Sequence, residues 1–209
     1  MLGKGRTKQW KLSGSILLLL LACAPSQVSY MRLDMGVGYS IPYRIIFWNQ
    51  ENPETTKVRM VVHVTEVSDL DYSLTAMVTG DQEGTIILQV SPGGKTMEAD
   101  VLGLPDPWWD IAVASLVSPC VPLPQEPVSP GQSWEADLAN GKGIYTYRGT
   151  GLVEGKEGYI LEFNVSTTEI RGIQATGRLV VSPETGMVQA AVGTIATGFG
   201  TYRCRMVRE

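Results

Sequence analysis

The sequence predicts a mainly β protein: a single antiparallel β-rich domain, a half-barrel or curved sheet of two similar halves with one apolar helix between them. Three observations carry this reading. Long stretches alternate apolar and polar residues with a period of two, turn signals fall between those stretches, and one short pattern occurs twice.

The strands follow in chain order. In the aromatic stretch Tyr43 to Trp48, Ile45 and Phe47 alternate with Arg44, Ile46 and Trp48, so both faces carry large apolar groups. Val58, Met60, Val62 and Val64 alternate with Lys57, Arg59, His63 and Thr65. Tyr159, Leu161, Phe163 and Val165 alternate with Glu162, Asn164 and Ser166, and Tyr202, Cys204 and Met206 with Thr201, Arg203 and Arg205. Strands of this kind bury one face and leave the other in water. Asn52-Pro53, Thr79-Gly80-Asp81, Pro92-Gly93-Gly94, Asn140-Gly141 and Pro183-Glu184-Thr185-Gly186 supply the turns. The chain's 23 glycines suit tight turns and bulges better than helices.

The repeated pattern is Leu88-Gln89-Val90-Ser91-Pro92 against Leu179-Val180-Val181-Ser182-Pro183. Beyond it, Met97, Ala99 and Val101 align with Val188, Ala190 and Val192. Upstream, Tyr72-Ser73-Leu74 aligns with Tyr159-Ile160-Leu161. Each half is thus expected to hold a hairpin of the same kind.

Between the halves, Asp106 is a helix cap and Pro107 suits the first helical position. No breaker follows until Ser118-Pro119, so a helix is predicted over Trp108–Val117. Trp108, Ile111, Ala112, Ser115 and Leu116 mark one face, and Trp109, Val113 and Val117 another. Such a helix is apolar nearly all round and must be buried or cover something apolar. Pro119 to Pro130 reads as an extended strap without a core of its own.

The N-terminus has a different logic. Lys4, Arg6, Lys8 and Lys11 precede an uncharged run from Ile16 to Leu21, which stops at Ala22-Cys23. This order is that of an export signal. Leu20-Leu21-Ala22-Cys23 resembles the lipobox of bacterial lipoproteins, with Leu21 departing from the usual Ala or Ser. The resemblance implies cleavage before Cys23, acylation of its thiol with diacylglycerol and an amide-linked chain such as palmitate, and residence on the cell membrane or outer membrane. Two or three acyl chains anchor stably where one does not. The run from Leu12 to Ala24 is too short for a transmembrane helix and carries Ser13, Gly14 and Ser15. The expected organisation is a signal peptide over 1–22, a lipidated tether over 23–29 and a domain over 30–209. The domain's halves run over 30–117 and 131–209, joined by the strap 118–130.

Loss of residues 1–22 removes four of the 17 basic residues and none of the 21 acidic ones, leaving a net charge of −8. Beyond the Arg203, Arg205, Arg208 tail no basic cluster remains, which argues against nucleic acid as a partner. With Cys23 taken by lipid, Cys120 and Cys204 remain. A disulfide between them would close a long loop and stabilise by roughly 4 kcal/mol. Two buried thiols behaving as small hydrophobes is the other reading.

Little points to catalysis, and no cofactor is expected. His63 is the only histidine and falls on a polar strand face. There is no Gly-x-Ser-x-Gly elbow, no phosphate-cradling glycine loop and no close set of His and Cys for zinc. Glu66, Asp69 and Asp71 crowd one turn, and Glu154 and Glu157 another. A glycosidase would need two such acids converging across a cleft.

An aromatic helix lying across a curved antiparallel sheet is a way to hold an acyl chain. In its presumed order of sheet and helix, the body resembles the envelope lipoprotein-carrier half-barrels, a class that ferries or senses lipidated cargo. The resemblance implies an apolar or amphiphilic ligand, or a lipidated partner, between sheet and helix, in contact with Trp108, Trp109, Ile111 and Leu116. The expected function is therefore non-enzymatic binding by a lipid-anchored envelope protein. The alternatives are an assembly lipoprotein contacting an envelope protein through strand edges or the Arg203/Arg205 face, and a hydrolase using turn carboxylates.

Overall fold

The computed structural model describes residues 29, 31–51, 55–104, 118–138, 141–167, 172–198 and 200–209. The alternating stretches become eleven antiparallel strands. The first five are β1 (Ser40–Asn49), β2 (Thr55–Val67), β3 (Tyr72–Gly80), β4 (Gly84–Val90) and β5 (Thr96–Leu102). The next three are β6 (Ser133–Leu138), β7 (Gly141–Val153) and β8 (Lys156–Thr167), followed by β9 (Gln174–Val181), β10 (Val188–Thr197) and β11 (Gly200–Arg208). All lie in one sheet in the order β5-β4-β3-β2-β1-β11-β10-β9-β8-β7-β6. The first and last strands meet in the middle, from Tyr43 opposite Arg208 to Asn49 opposite Tyr202. The sheet curls into a nearly closed, barrel-like form whose edges are β5 and β6.

The period of two decides the faces. Tyr43, Ile45 and Phe47, then Val58, Met60, Val62 and Val64, point into the concave side and are buried. Leu161, Phe163 and Val165 of β8 and Cys204 and Met206 of β11 do the same. Ile46 and Trp48 take the convex side and stay half-exposed.

Two extended segments fill the concave face. Met31, Leu33 and Met35 of the N-terminal stretch belong to the core, and so do Cys120, Val121, Leu123 and Val128 of the strap. The strap therefore departs from the coreless connector expected over 118–130. Its apolar residues pack inward, and its prolines have no N–H that burial would leave unpaired. Some of its backbone groups bond to the sheet: the Val188 amide donates to Pro119 O, and the Leu123 amide donates to Gly93 O at 2.7 Å. Ser29 bridges to Val128, and its hydroxyl meets that of Tyr147 at 3.0 Å, so among the described residues Ser29 already packs with the domain. The helix expected over Trp108–Val117 lies outside the described residues.

The repeated pattern occupies matching positions. Tyr72 lies opposite Val90 and Leu74 opposite Leu88. In the same way Tyr159 lies opposite Val181 and Leu161 opposite Leu179. The downstream alignment shifts by one residue. Ala99 faces Leu88, whereas Leu179 is faced by Ala191 and not by Ala190. Both hairpins carry a register shift at the same place, and the offset comes from the turn: Val90 pairs with Thr96, whereas Val181 pairs with Val188, one residue further on.

One hairpin leaves the plan of the rest. A register shift between Tyr147 and Gly149 bends β7, and the tip of the β7–β8 hairpin folds over the convex face. There Val153, Val180 and Ala190 form a small second core, with Ile160, Val192 and Val207 packed against it.

Candidate functional site

The sheet is open between β5 and β6, and the strap crosses that opening. On one side it takes the bond to Gly93 in the β4–β5 turn; on the other, Trp134 Nε1 of β6 donates to Pro122 O at 3.1 Å. A groove of about 670 Å³ runs along this seam, lined by Lys95, the strap residues Pro122–Val128 and Gln132–Asp137. That volume lies within the range of small-molecule sites.

Trp134 forms the inner wall and stacks on Tyr145 of β7, with ring centroids 5.9 Å apart and planes 20° apart. The pair arises from register, since Trp134 and Tyr145 are directly opposed. The Tyr145 ring runs back along its own strand over Gly143, where a Cβ would come within 2.7 Å of Tyr145 Cε2. The missing side chain at Gly143 is what makes room for the ring. Tyr145 is 1% exposed, and its hydroxyl has no hydrogen-bond partner among the described residues. Burial pushes its pKa up, so the hydroxyl stays protonated and is a standing donor.

The other buried tyrosines are satisfied. Tyr43 donates to Val188 O at 2.7 Å, and Tyr147 shares its hydrogen bond with Ser29. An unpartnered hydroxyl in an apolar interior costs about 1–3 kcal/mol of desolvation. Tyr145 is therefore the exception that calls for a ligand group or a water. Chemically, the groove offers the Trp134 ring and the apolar strap residues Pro122, Leu123 and Val128 beside the charged Lys95, Glu126, Glu135 and Asp137, and Tyr145 lies behind Trp134 and outside the lining.

The sequence-derived site residues fall in several places. Cys23, Trp108, Trp109, Ile111 and Leu116 lie outside the described residues. Cys120 and Cys204 are both buried free thiols. Cys120 follows Pro119, which bonds to Val188 at the start of β10, while Cys204 faces Gly193 further along that strand. Burial pushes the Cys120 thiol up to about 12 and raises that of Cys204 as well. His63 stands on β2 between Ser40 and Thr75 of its neighbours. Asp69 is in the β2–β3 turn, and Asp71 takes a hydrogen bond from Ser68 there. Glu154 is committed to Arg205 at 2.5 Å. Among the described residues no three His, Cys, Asp or Glu side chains gather as a metal site, and no helix is long and apolar enough to cross a membrane.

Sequence reasoning missed Trp134 and Tyr145. The Asn140-Gly141 signal would not have found the pair, since a two-residue turn there opposes Trp134 to Tyr147, whereas the structure pairs Leu138 with Gly141 and so Trp134 with Tyr145.

No protein-family model matches the chain, and no curated protein matches it. Among solved structures, the chain is similar to the crystal structure of the hypothetical lipoprotein YmcC from Escherichia coli (K12). Identity is 12%, 98% of each chain is covered and the TM-score is 0.34, too loose a superposition to map residues from one onto the other.

Proposed function

We propose that this chain is an envelope lipoprotein, anchored through acylated Cys23, that binds an amphiphile without transforming it. The ligand's apolar part lies against the apolar strap residues at the seam and the Trp108–Val117 segment, read as an apolar helix. Its polar part, an ester or amide carbonyl, reaches the seam and accepts a hydrogen bond from Tyr145. The single observation that supports this is the orphaned, 1% exposed Tyr145 hydroxyl, whose ring stacks on Trp134 where that residue lines the seam groove. The export-type leader ending at Ala22-Cys23 supports the anchor. The matching registers of β3–β4 and β8–β9 support reading the sheet as two related halves.

The test has two parts. Cells fed labelled palmitate should incorporate it into the wild type and not into Cys23→Ser. An apolar fluorescent fatty acid should bind the full-length protein and be held about five- to tenfold more weakly by Tyr145→Phe, the loss of one neutral hydrogen bond. Unchanged affinity in Tyr145→Phe, or no brightening of the probe at all, would remove the binding reading.

A further inference from the structure

The convex face holds a second groove, of about 1010 Å³, under the folded-over tip of the β7–β8 hairpin. Its composition is unlike that of the chain as a whole. The protein is acidic, with 21 Asp and Glu against 17 Lys and Arg, yet Arg178, Arg203 and Arg205 converge here with Glu154 as the one lining acid. We infer that this groove binds an acidic saccharide, a uronate-bearing sugar whose carboxylate pairs with arginine and whose ring lies on Trp48.

Three observations lead to this ligand. The first is a row across the sheet. Thr176 is opposite Thr194, Thr194 opposite Arg203, and Arg203 opposite Trp48. At about 4.8 Å per strand, the row sets two hydroxyls, a guanidinium and an indole side by side. Hydroxyls suit a hydroxyl-rich ligand, guanidinium suits carboxylate, and a flat indole suits the apolar face of a sugar ring.

The second is that the neighbouring arginines already hold carboxylates. Arg178 pairs with Glu162 at 2.8 Å, and Arg205 with Glu154. Arg203, between them and Trp48, is exposed and has no acidic partner among the described residues.

The third is the odd residue at the hairpin tip. Glu154, at φ 51°, is the one non-glycine with a positive φ among the described residues. Two-residue turns of this kind take Asn or Asp with Gly, and a longer side chain there is disfavoured. Glu154 places its carboxylate on Arg205, and so occupies from within the protein a position that a ligand carboxylate takes on binding. The hairpin is thus a flap whose own acid competes with the ligand.

Titration calorimetry of the full-length protein in neutral detergent tests this, with trigalacturonate, maltotriose and triglutamate as probes. Trigalacturonate is expected to bind and maltotriose not to. Arg203→Gln, an exposed change, should weaken binding tenfold or more, as expected for a lost charge-assisted pair. Glu154→Gln should strengthen it several-fold by removing the internal competitor. Absence of trigalacturonate binding, triglutamate binding as tight as trigalacturonate, or full affinity in Arg203→Gln would each overturn the inference.

Discussion

Replacing Gly94 by alanine should separate the strap from the sheet. Gly94 sits in the β4–β5 turn at φ +79°, and an added Cβ would come 2.0 Å from Val121 O and 3.0 Å from Val121 C. Three contributions follow. The left-handed backbone costs an L-residue about 1–2 kcal/mol. Driving a backbone carbonyl aside adds about 1–3 kcal/mol, as for an overpacked core. If the strap retreats, the bond from Leu123 N to Gly93 O weakens, worth about 1 kcal/mol. Together these give a loss of about 3–6 kcal/mol. Gly131 is the internal control: it has φ +93°, but nothing lies within 4 Å of its Cβ position. Gly131→Ala should therefore lose only the backbone contribution, about 1–2 kcal/mol. Urea unfolding followed by tryptophan fluorescence measures both. Equal losses in the two variants would refute the strap's role as the clasp across the seam.

The two buried tyrosines should respond to loss of their hydroxyls with opposite signs. Tyr43→Phe strands the Val188 carbonyl and should cost about 1–2 kcal/mol, whereas Tyr145→Phe removes an unpaired group and should stabilise the ligand-free protein by about 1 kcal/mol. Urea midpoints decide this, and a destabilised Tyr145→Phe would contradict it. Alkaline pH should destabilise the fold through its thiols. Burial raises the Cys120 thiol from about 9 to about 12 and that of Cys204 also, so the folded state holds protons that the unfolded state releases. Stability is full below about pH 9 and should fall by roughly 1 kcal/mol per thiol per pH unit above it, towards pH 12. A urea midpoint that does not move between pH 8 and 10 would contradict this. Glu162 accepts hydrogen bonds from Arg148 and Arg178, which hold its carboxyl below the usual range. A carbon-detected titration should find it ionising at lower pH than the other glutamates, and a shared midpoint would show that the pairing does not persist in solution.

Much of the fold was legible because strand alternation is a local property. The stretches at Val58–Val64 and Tyr159–Val165 needed no tertiary information to reveal both their strands and their buried faces. The repeat was legible too, except for its last step, where a turn one residue longer after Val181 than after Val90 moved the partner of Leu179 to Ala191. Where a turn closes is set by how two strands meet and leaves little trace in either one. The strap was misread for a related reason. Proline content marked it as extended, but its burial depends on a concave apolar face assembled from distant strands.

The same limit applied to the sites. Trp134 and Tyr145 share a hairpin, but a turn at Asn140-Gly141 would have paired Trp134 with Tyr147, and only the observed pairing of Leu138 with Gly141 sets the true register. The convex groove could not have been found from turn signals either. It unites Trp48, Arg178 and Arg203 from three strands under a hairpin tip whose fold-over follows from one shift in register.

Native mass spectrometry of the full-length protein, released from detergent after purification from its own membranes, tests the central reading most directly. The expected spectrum shows the acylated chain carrying an additional non-covalent mass, which organic extraction removes and which Tyr145→Phe largely lacks. A spectrum in which wild type and Tyr145→Phe both carry only their covalent mass would contradict the account of the seam as an amphiphile site.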